Sequence, residues 1–307
     1  MDLTPVKSER FQDLLANDTI FDFARRIITE SYVECVPAQR RDEMQAMLSA
    51  AFDLLARARA DEAALRAAIQ CLTHDVFRKS DPDFWFSRVY ADYKRNFKPQ
   101  RRFQRLQPWL IGHRVLDLGC GNGLLARLLA QEGYDVMLTD VMDYRDPAAH
   151  SLPFRPMTDA RRIPYPDDSF DTVLAMTVLH HVAPADLDAL CAELRRVGRR
   201  VVIEEDSYDI PADLPAPEER LADAEQLRAF RALSAADQLR YTMFLDYFAN
   251  ALAQGLLEMD FPFDFKSVRT WQRFFVEAGF EVQETILRGF QRGQFHRNCH
   301  VWFILEA

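Results

Sequence analysis

The chain has 307 residues, and its 38 Lys and Arg against 47 Asp and Glu give a formal net charge of -9 at neutral pH. That length suits one large α/β domain with additions. The acidic balance argues against a nucleic-acid partner, whose phosphates need a basic surface.

From about Glu9 to Leu72 the chain is nearly free of Gly and Pro, and apolar residues recur at helical spacing. Phe11, Leu14 and Leu15 make one apolar face, and Met44, Met47, Leu48, Phe52, Leu54 and Leu55 another. An all-helical N-terminal region over 1–82 is therefore expected, read as a packing appendage or a homodimer interface rather than a substrate-specificity element. The aromatic segment Asp83–Tyr93 follows, and then the basic run Lys94–Arg102, read as a solvated helix end or linker.

The run Val115-Leu116-Asp117-Leu118-Gly119-Cys120-Gly121-Asn122-Gly123 is an apolar strand ending in an acid and then three alternating glycines. Glycines so placed let a backbone turn tightly and approach a ligand closely. Leu124, Leu125, Leu128 and Leu129 then share a helix face, with Gly133 as a stop. Strand, glycine turn and helix together read as a nucleotide-type site at a helix N-terminus. The dinucleotide fingerprint fails because Leu124 stands where its third glycine belongs. The P-loop fails because Leu124, Leu125 and Ala126, not Lys and Ser or Thr, follow Gly123.

Tyr134–Asp140 reads as a second strand ending in an acid, placed to accept ribose hydroxyls. Phe170–Met176 reads as a central strand followed by Thr177-Val178-Leu179-His180-His181-Val182, and Arg200–Glu205 as a fifth strand that ends in the acids Glu204, Glu205 and Asp206. The roughly sixty residues 207–266 are too many for a simple connection. They open on Pro211, Pro215 and Pro217 and carry two helical stretches, Ala222–Leu233 and Ala235–Leu257, so a helical substrate lid is expected there. A helix over Ser267–Ala278 and a closing pair of strands, Glu281–Leu287 and Cys299–Leu305, follow, with Arg288–Arg297 between them read as a solvated basic loop.

The segment Asp117–Gly123 resembles the first motif of the class I S-adenosylmethionine (SAM) dependent methyltransferases, of the type 11/25-like kind. Asp159-Ala160-Arg161-Arg162-Ile163-Pro164-Tyr165-Pro166-Asp167-Asp168-Ser169-Phe170-Asp171 resembles a second family segment, D-A-x-x-L-P-F-x-D-x-S-F-D. The likeness covers residues 85–206 and resumes weakly from Ser267. It implies an α/β, Rossmann-like seven-stranded sheet with helices on both faces, and a methyltransferase domain over 83–307.

It also implies SAM as cofactor, released as S-adenosylhomocysteine. Asp117, Gly119, Cys120, Gly121, Asn122 and Gly123 would cradle it, Asp140 would take the ribose, and Val141 and Met142 would lie beside the adenine. Asp159 would accept from the adenine amine and Ala160 offer its amide. Met176 and Thr177 would line the cofactor, and Tyr90 or Tyr93 would lie against the sulfonium as a cation–π partner. For catalysis the candidates are His181 and His180, as bases after the fourth strand, and Glu204 and Glu205, as carboxylates that bind an amine or order a base.

Methyl transfer itself needs no metal, and Cys35, Cys71, Cys120, Cys191 and Cys299 lack the spacing of a zinc site or a disulfide framework. The amino terminus lacks a signal-peptide core and no apolar run is long enough to span a bilayer, so a cytoplasmic protein without a membrane partner is expected. A small-molecule acceptor, amino-acid-like or a natural-product metabolite, is the leading expectation. The alternatives are a protein or RNA methyltransferase, and an assembly protein that binds SAM without methylating.

Overall fold

The computed structural model describes residues 5–78, 81–254 and 261–307, with side chains from Phe11 onward. Positions 255–257, expected to end the second insertion helix, and the first four residues lie outside the described residues.

In chain order the helices are α1 (Pro5–Ala16), α2 (Asp18–Cys35), α3 (Arg41–Ala58), α4 (Glu62–Cys71), α5 (Trp85–Asp92) and α6 (Lys98–Leu106). Strand β1 (Arg114–Leu118) leads into α7 (Leu124–Gln131), then β2 (Asp135–Asp140), β3 (Phe154–Pro156) and β4 (Phe170–Met176). Then come α8 (Pro184–Val197), β5 (Gly198–Asp206), α9 (Ala224–Arg231), α10 (Ala235–Tyr247), α11 (Val268–Glu277), β6 (Glu281–Phe290) and β7 (Cys299–Glu306). Local chemistry sets several boundaries: Asn17, Asp61, Asp223, Ser234 and Ser267 each accept a backbone amide of the helix that follows. No described helix is long and apolar enough to cross a membrane.

The chain forms two compact units. The first comprises Met1–Ala91, Ala216–Phe261 and Gly289–Cys299. Its core is aromatic: Phe11 stacks on Tyr247 at 4.2 Å, Phe52 lies parallel to Phe244 and Phe248, and Tyr32 meets Phe295 edge-on. Phe11, Leu14, Leu15, Met44, Leu48, Phe52 and Leu55 of the expected apolar faces are buried. Helices α9 and α10 thus pack with the N-terminal helices, and the unit runs past the boundary expected after residue 82.

The basic loop expected to be solvated is instead part of this unit. Arg297 is 1% exposed, pairs with Glu34 and lies 3.7 Å from Asp223, while Ser31 donates to the Phe295 carbonyl at 2.8 Å. A guanidinium leaves water only where carboxylates and carbonyls replace it. Glu34 comes from more than 250 residues away in sequence, so local composition gave no sign of it.

The second unit comprises Asp92–Pro215, Pro262–Arg288 and His300–Ala307. The seven-stranded sheet has the order β3-β2-β1-β4-β5-β7-β6, with β7 antiparallel to β5 and the first five strands parallel. Parallel strands covered on both faces are apolar without alternation, as in β1 and β4, and Leu125, Leu129, Phe103, Leu106, Trp302 and Ile304 complete the core on one side. This is the Rossmann-like α/β architecture expected. The third strand, implied by the seven-stranded count but not located in the sequence, is β3, whose three residues carry no periodicity to read.

Candidate active site

The turn after β1 is closed by backbone bonds: the amides of Gly119 and Cys120 donate to the Thr139 carbonyl at 2.9 and 3.2 Å. Gly119 has φ +65, and a Cβ on it would lie 2.5 Å from a Val178 methyl, so no side chain fits. Gly121, at φ +52, has nothing within 4 Å of where a Cβ would stand, so the turn is open to a ligand on that side. Asn122 Oδ1 accepts the Leu124 amide at 3.2 Å where α7 begins, and Gly123, also at positive φ, precedes it.

Asp140 ends β2 with Oδ2 accepting from Gly121 at 2.8 Å and Oδ1 from Val141 at 2.7 Å. These two bonds do not exhaust the carboxylate's lone pairs, so acceptor capacity remains for a hydroxyl. Burial raises its pKa, and the amides of Gly121, Val141 and Met142 offset that only in part. Beside it, Val141 and Met142 are 64% and 57% exposed. Asp117, buried at the end of β1, is pushed up to about 7 by burial and by Asp140, against the pull of Arg102. Burial also pushes the Cys120 thiol up, so it is no thiolate.

The loop after β4 is held by Glu205. Its Oε1 accepts the Val178 and Leu179 amides at 3.2 and 2.7 Å, and its Oε2 lies 2.5 Å from His180 Nδ1. The His180 ring stacks on Phe265 at 4.7 Å. Thr177 is held at φ +62, with its amide on the Glu204 carbonyl at 2.7 Å and its hydroxyl on the Met176 carbonyl; Met176 itself is buried in the sheet core. His180 and Glu205, expected as catalytic groups, are thus spent on each other and on the loop. His181 differs: its Nδ1 is buried without a hydrogen-bond partner among the described residues. Burial and His180 hold its pKa well below the usual value against the pull of Asp206, so its imidazole is neutral at pH 7.

Glu204 departs furthest from expectation. Instead of lying on an open acidic rim, it takes Arg102 on Oε1 at 2.5 Å and the Trp302 indole N–H on Oε2 at 2.6 Å. Burial alone would raise its pKa, but Arg102, His300 and the Trp302 hydrogen bond outweigh it and hold the carboxyl at about 2. Both partners follow from the sheet: Trp302 and His300 stand opposite Glu204 and Asp206 in the β5–β7 register, and His300 Nδ1 lies 2.6 Å from Asp206. The basic run is therefore no simple solvated linker. Its last member is a half-buried counter-ion, a role that the four-residue spacing of Lys94, Lys98 and Arg102 on a helix would have suggested.

Asp159 is exposed, and its carboxylate takes the Arg161 amide at 2.9 Å and guanidinium at 3.1 Å; Ala160 is half-buried beside it. Tyr93 lies on a π-helical turn, Tyr93–Phe97, with its ring 5.9 Å from Phe97. Tyr90 belongs to the first unit, where its hydroxyl meets His296 Nε2 at 3.0 Å and its ring meets Phe295.

Residues 116–201 match the methyltransferase domain family. The chain is 30% identical over 125 residues to a ubiquinone biosynthesis O-methyltransferase of Roseobacter denitrificans, covering 38% of this chain and 47% of that one. It is 31% identical over 140 residues to the 27-O-demethylrifamycin SV methyltransferase of Amycolatopsis mediterranei, covering 41% and 49%. The chain thus spans about half the length of the curated relatives it matches. A SAM-dependent methyltransferase structure from Archaeoglobus fulgidus aligns at 16% identity over 73% of this chain and all of that one, with a TM-score of 0.46. With the matched span running from β1 into β5 through the glycine turn, Asp140 and the loop after β4, the chain carries a class I, SAM-dependent type methyltransferase domain.

Proposed function

We propose that the protein transfers the SAM methyl group to a hydroxyl of a small-molecule acceptor. The observation that carries this reading is the Asp140 carboxylate, bonded to Gly121 and Val141 and retaining acceptor capacity, beside an open glycine turn. A ribose would use that capacity. The exposed Val141 and Met142 side chains offer an adenine an apolar surface, and the desolvated Asp117 suits the methionyl ammonium. Both curated relatives described above are named for chemistry at oxygen.

Methyl transfer is an in-line displacement at the sulfonium carbon, and when bound the cofactor supplies the electrophilic methyl. The protein's part is to hold the nucleophile aligned, which is worth roughly 7–11 kcal/mol in favourable cases. A hydroxyl nucleophile must also lose its proton. His181, neutral and with Nδ1 unpartnered, is the group we assign as base. Glu205 and His180 act through the loop that carries it.

Calorimetric titration with S-adenosylhomocysteine tests the cofactor half, and absence of binding would sink the reading. Incubating the protein with methyl-labelled SAM and a metabolite extract, followed by mass spectrometry, tests the acceptor half. A labelled ether supports the assignment, and a labelled protein or RNA would replace it.

A further inference from the structure

Two contacts fix the direction of α6 against the sheet. Arg102 pairs with Glu204 near the end of β5, and the Trp109 carbonyl accepts from Arg200 near its start at 3.3 Å. The chain therefore runs from Arg102 to Trp109 as β5 is followed backwards, and the N-terminal turn of α6 points to the C-terminal edge of the sheet. Ligands of open α/β sheets lie at that edge. Lys98 stands one helical turn before Arg102 on the same face, and its ammonium makes no hydrogen bond or ion pair among the described residues.

The acids near it are already committed. Glu204 holds Arg102 and Trp302, and Asp206 lies against His300. The Arg102 Nε is buried without a hydrogen-bond partner among the described residues, so a donor is left over here. Water reaches the Lys98 side chain, yet the surrounding protein, Arg102 and Lys94 pull its pKa down to about 7 against Glu204 and Asp206. Lys98 is thus a solvent-accessible cation at the C-terminal edge of the sheet, with no counter-ion among the described residues. The charges that act on Lys98 belong to α6, its preceding turn and β5, whereas Lys94 feels Asp146, close to the cofactor turn.

Resting on the methyltransferase reading, we propose that Lys98 anchors a carboxylate of the methyl acceptor, which makes the substrate class a hydroxy acid. The ammonium would supply a charge-assisted hydrogen bond to one end of the acceptor while its hydroxyl is presented to the methyl at the other. Such a bond is worth about ten- to hundredfold in affinity.

Pyridoxal 5′-phosphate, an anionic aldehyde that condenses with a lysine amine with loss of water, is the probe, with borohydride reduction and peptide mapping at pH 7.5. Lys98 is expected to be labelled ahead of Lys94 and Lys266, with saturating S-adenosylhomocysteine leaving the labelling intact. Benzoate should protect Lys98 and benzamide should not. In ligand-observed NMR, benzoate binding should be lost in Lys98→Met and retained in Lys98→Arg, and both variants should keep the thermal unfolding profile and bind S-adenosylhomocysteine within about twofold of wild type. Equal effects of benzoate and benzamide would overturn the proposal. So would a block of labelling by S-adenosylhomocysteine together with about tenfold weaker binding of it by Lys98→Met, since Lys98 would then serve the cofactor. Failure of the wild-type protein to bind S-adenosylhomocysteine would instead strike the methyltransferase reading, and the benzoate arms would still report on Lys98.

Discussion

Glu205 Oε2 lies 2.5 Å from His180 Nδ1 while Oε1 of the same carboxylate holds the Val178 and Leu179 amides, so one fully buried side chain organises the whole loop after β4. Glu205→Ala would leave two amides and an imidazole nitrogen unsatisfied, and should cost about 3 kcal/mol in urea unfolding. Glu205→Gln keeps an oxygen for the amides and should cost clearly less. Equal losses in the two variants would show that the charged carboxylate facing His180, rather than the bonds to the two amides, is what Glu205 contributes.

Glu204 gives a pH signature. Its folded pKa of about 2 lies below the ordinary 4.5, so its contribution to stability is present above about 4.5 and is lost as pH falls toward 2. The lost portion is on the order of 3 kcal/mol. Glu204→Gln cannot titrate there, and the difference in unfolding free energy between wild type and variant should shrink over that interval. A difference independent of pH would contradict the ion pair with Arg102.

Asp117 has the opposite sign. Its carboxyl, raised to about 7, holds a proton that an approaching ammonium would displace. S-adenosylhomocysteine binding at pH 7 should release roughly half a proton from this group. The observed binding enthalpy should therefore vary with the ionisation enthalpy of the buffer, and Asp117→Asn should remove that dependence.

Asp140→Ala deletes both oxygens offered to the ribose and the acceptor of the Gly121 and Val141 amides. Binding of S-adenosylhomocysteine should weaken by about ten- to hundredfold, the worth of one or two such hydrogen bonds. Unchanged affinity would contradict the assignment of β2 to the cofactor half.

The cofactor half of the site was legible because its signals are local. Val115–Gly123 declares a buried strand and a turn that only glycine permits, and Asp140 ends an equally plain strand. The helix after Ser267 is marked by its own cap. These features depend on residues a few positions apart, so the linear order of β1, β2, β4, β5 and the closing pair could be read directly.

Charged residues could not be read that way. Whether Glu204, Arg102 or Arg297 is a solvated surface group or a buried counter-ion depends on a partner roughly 100 to 260 residues away, and the cost of desolvating a charge is offset only when that partner arrives. The sequence by itself thus determined the sheet, the turn and the carboxylates suited to a nucleoside. Tertiary structure alone decided that Glu204 and Glu205 are held inside rather than offered to substrate, that His181 Nδ1 has no hydrogen-bond partner among the described residues, and that α9 and α10 pack with the N-terminal helices.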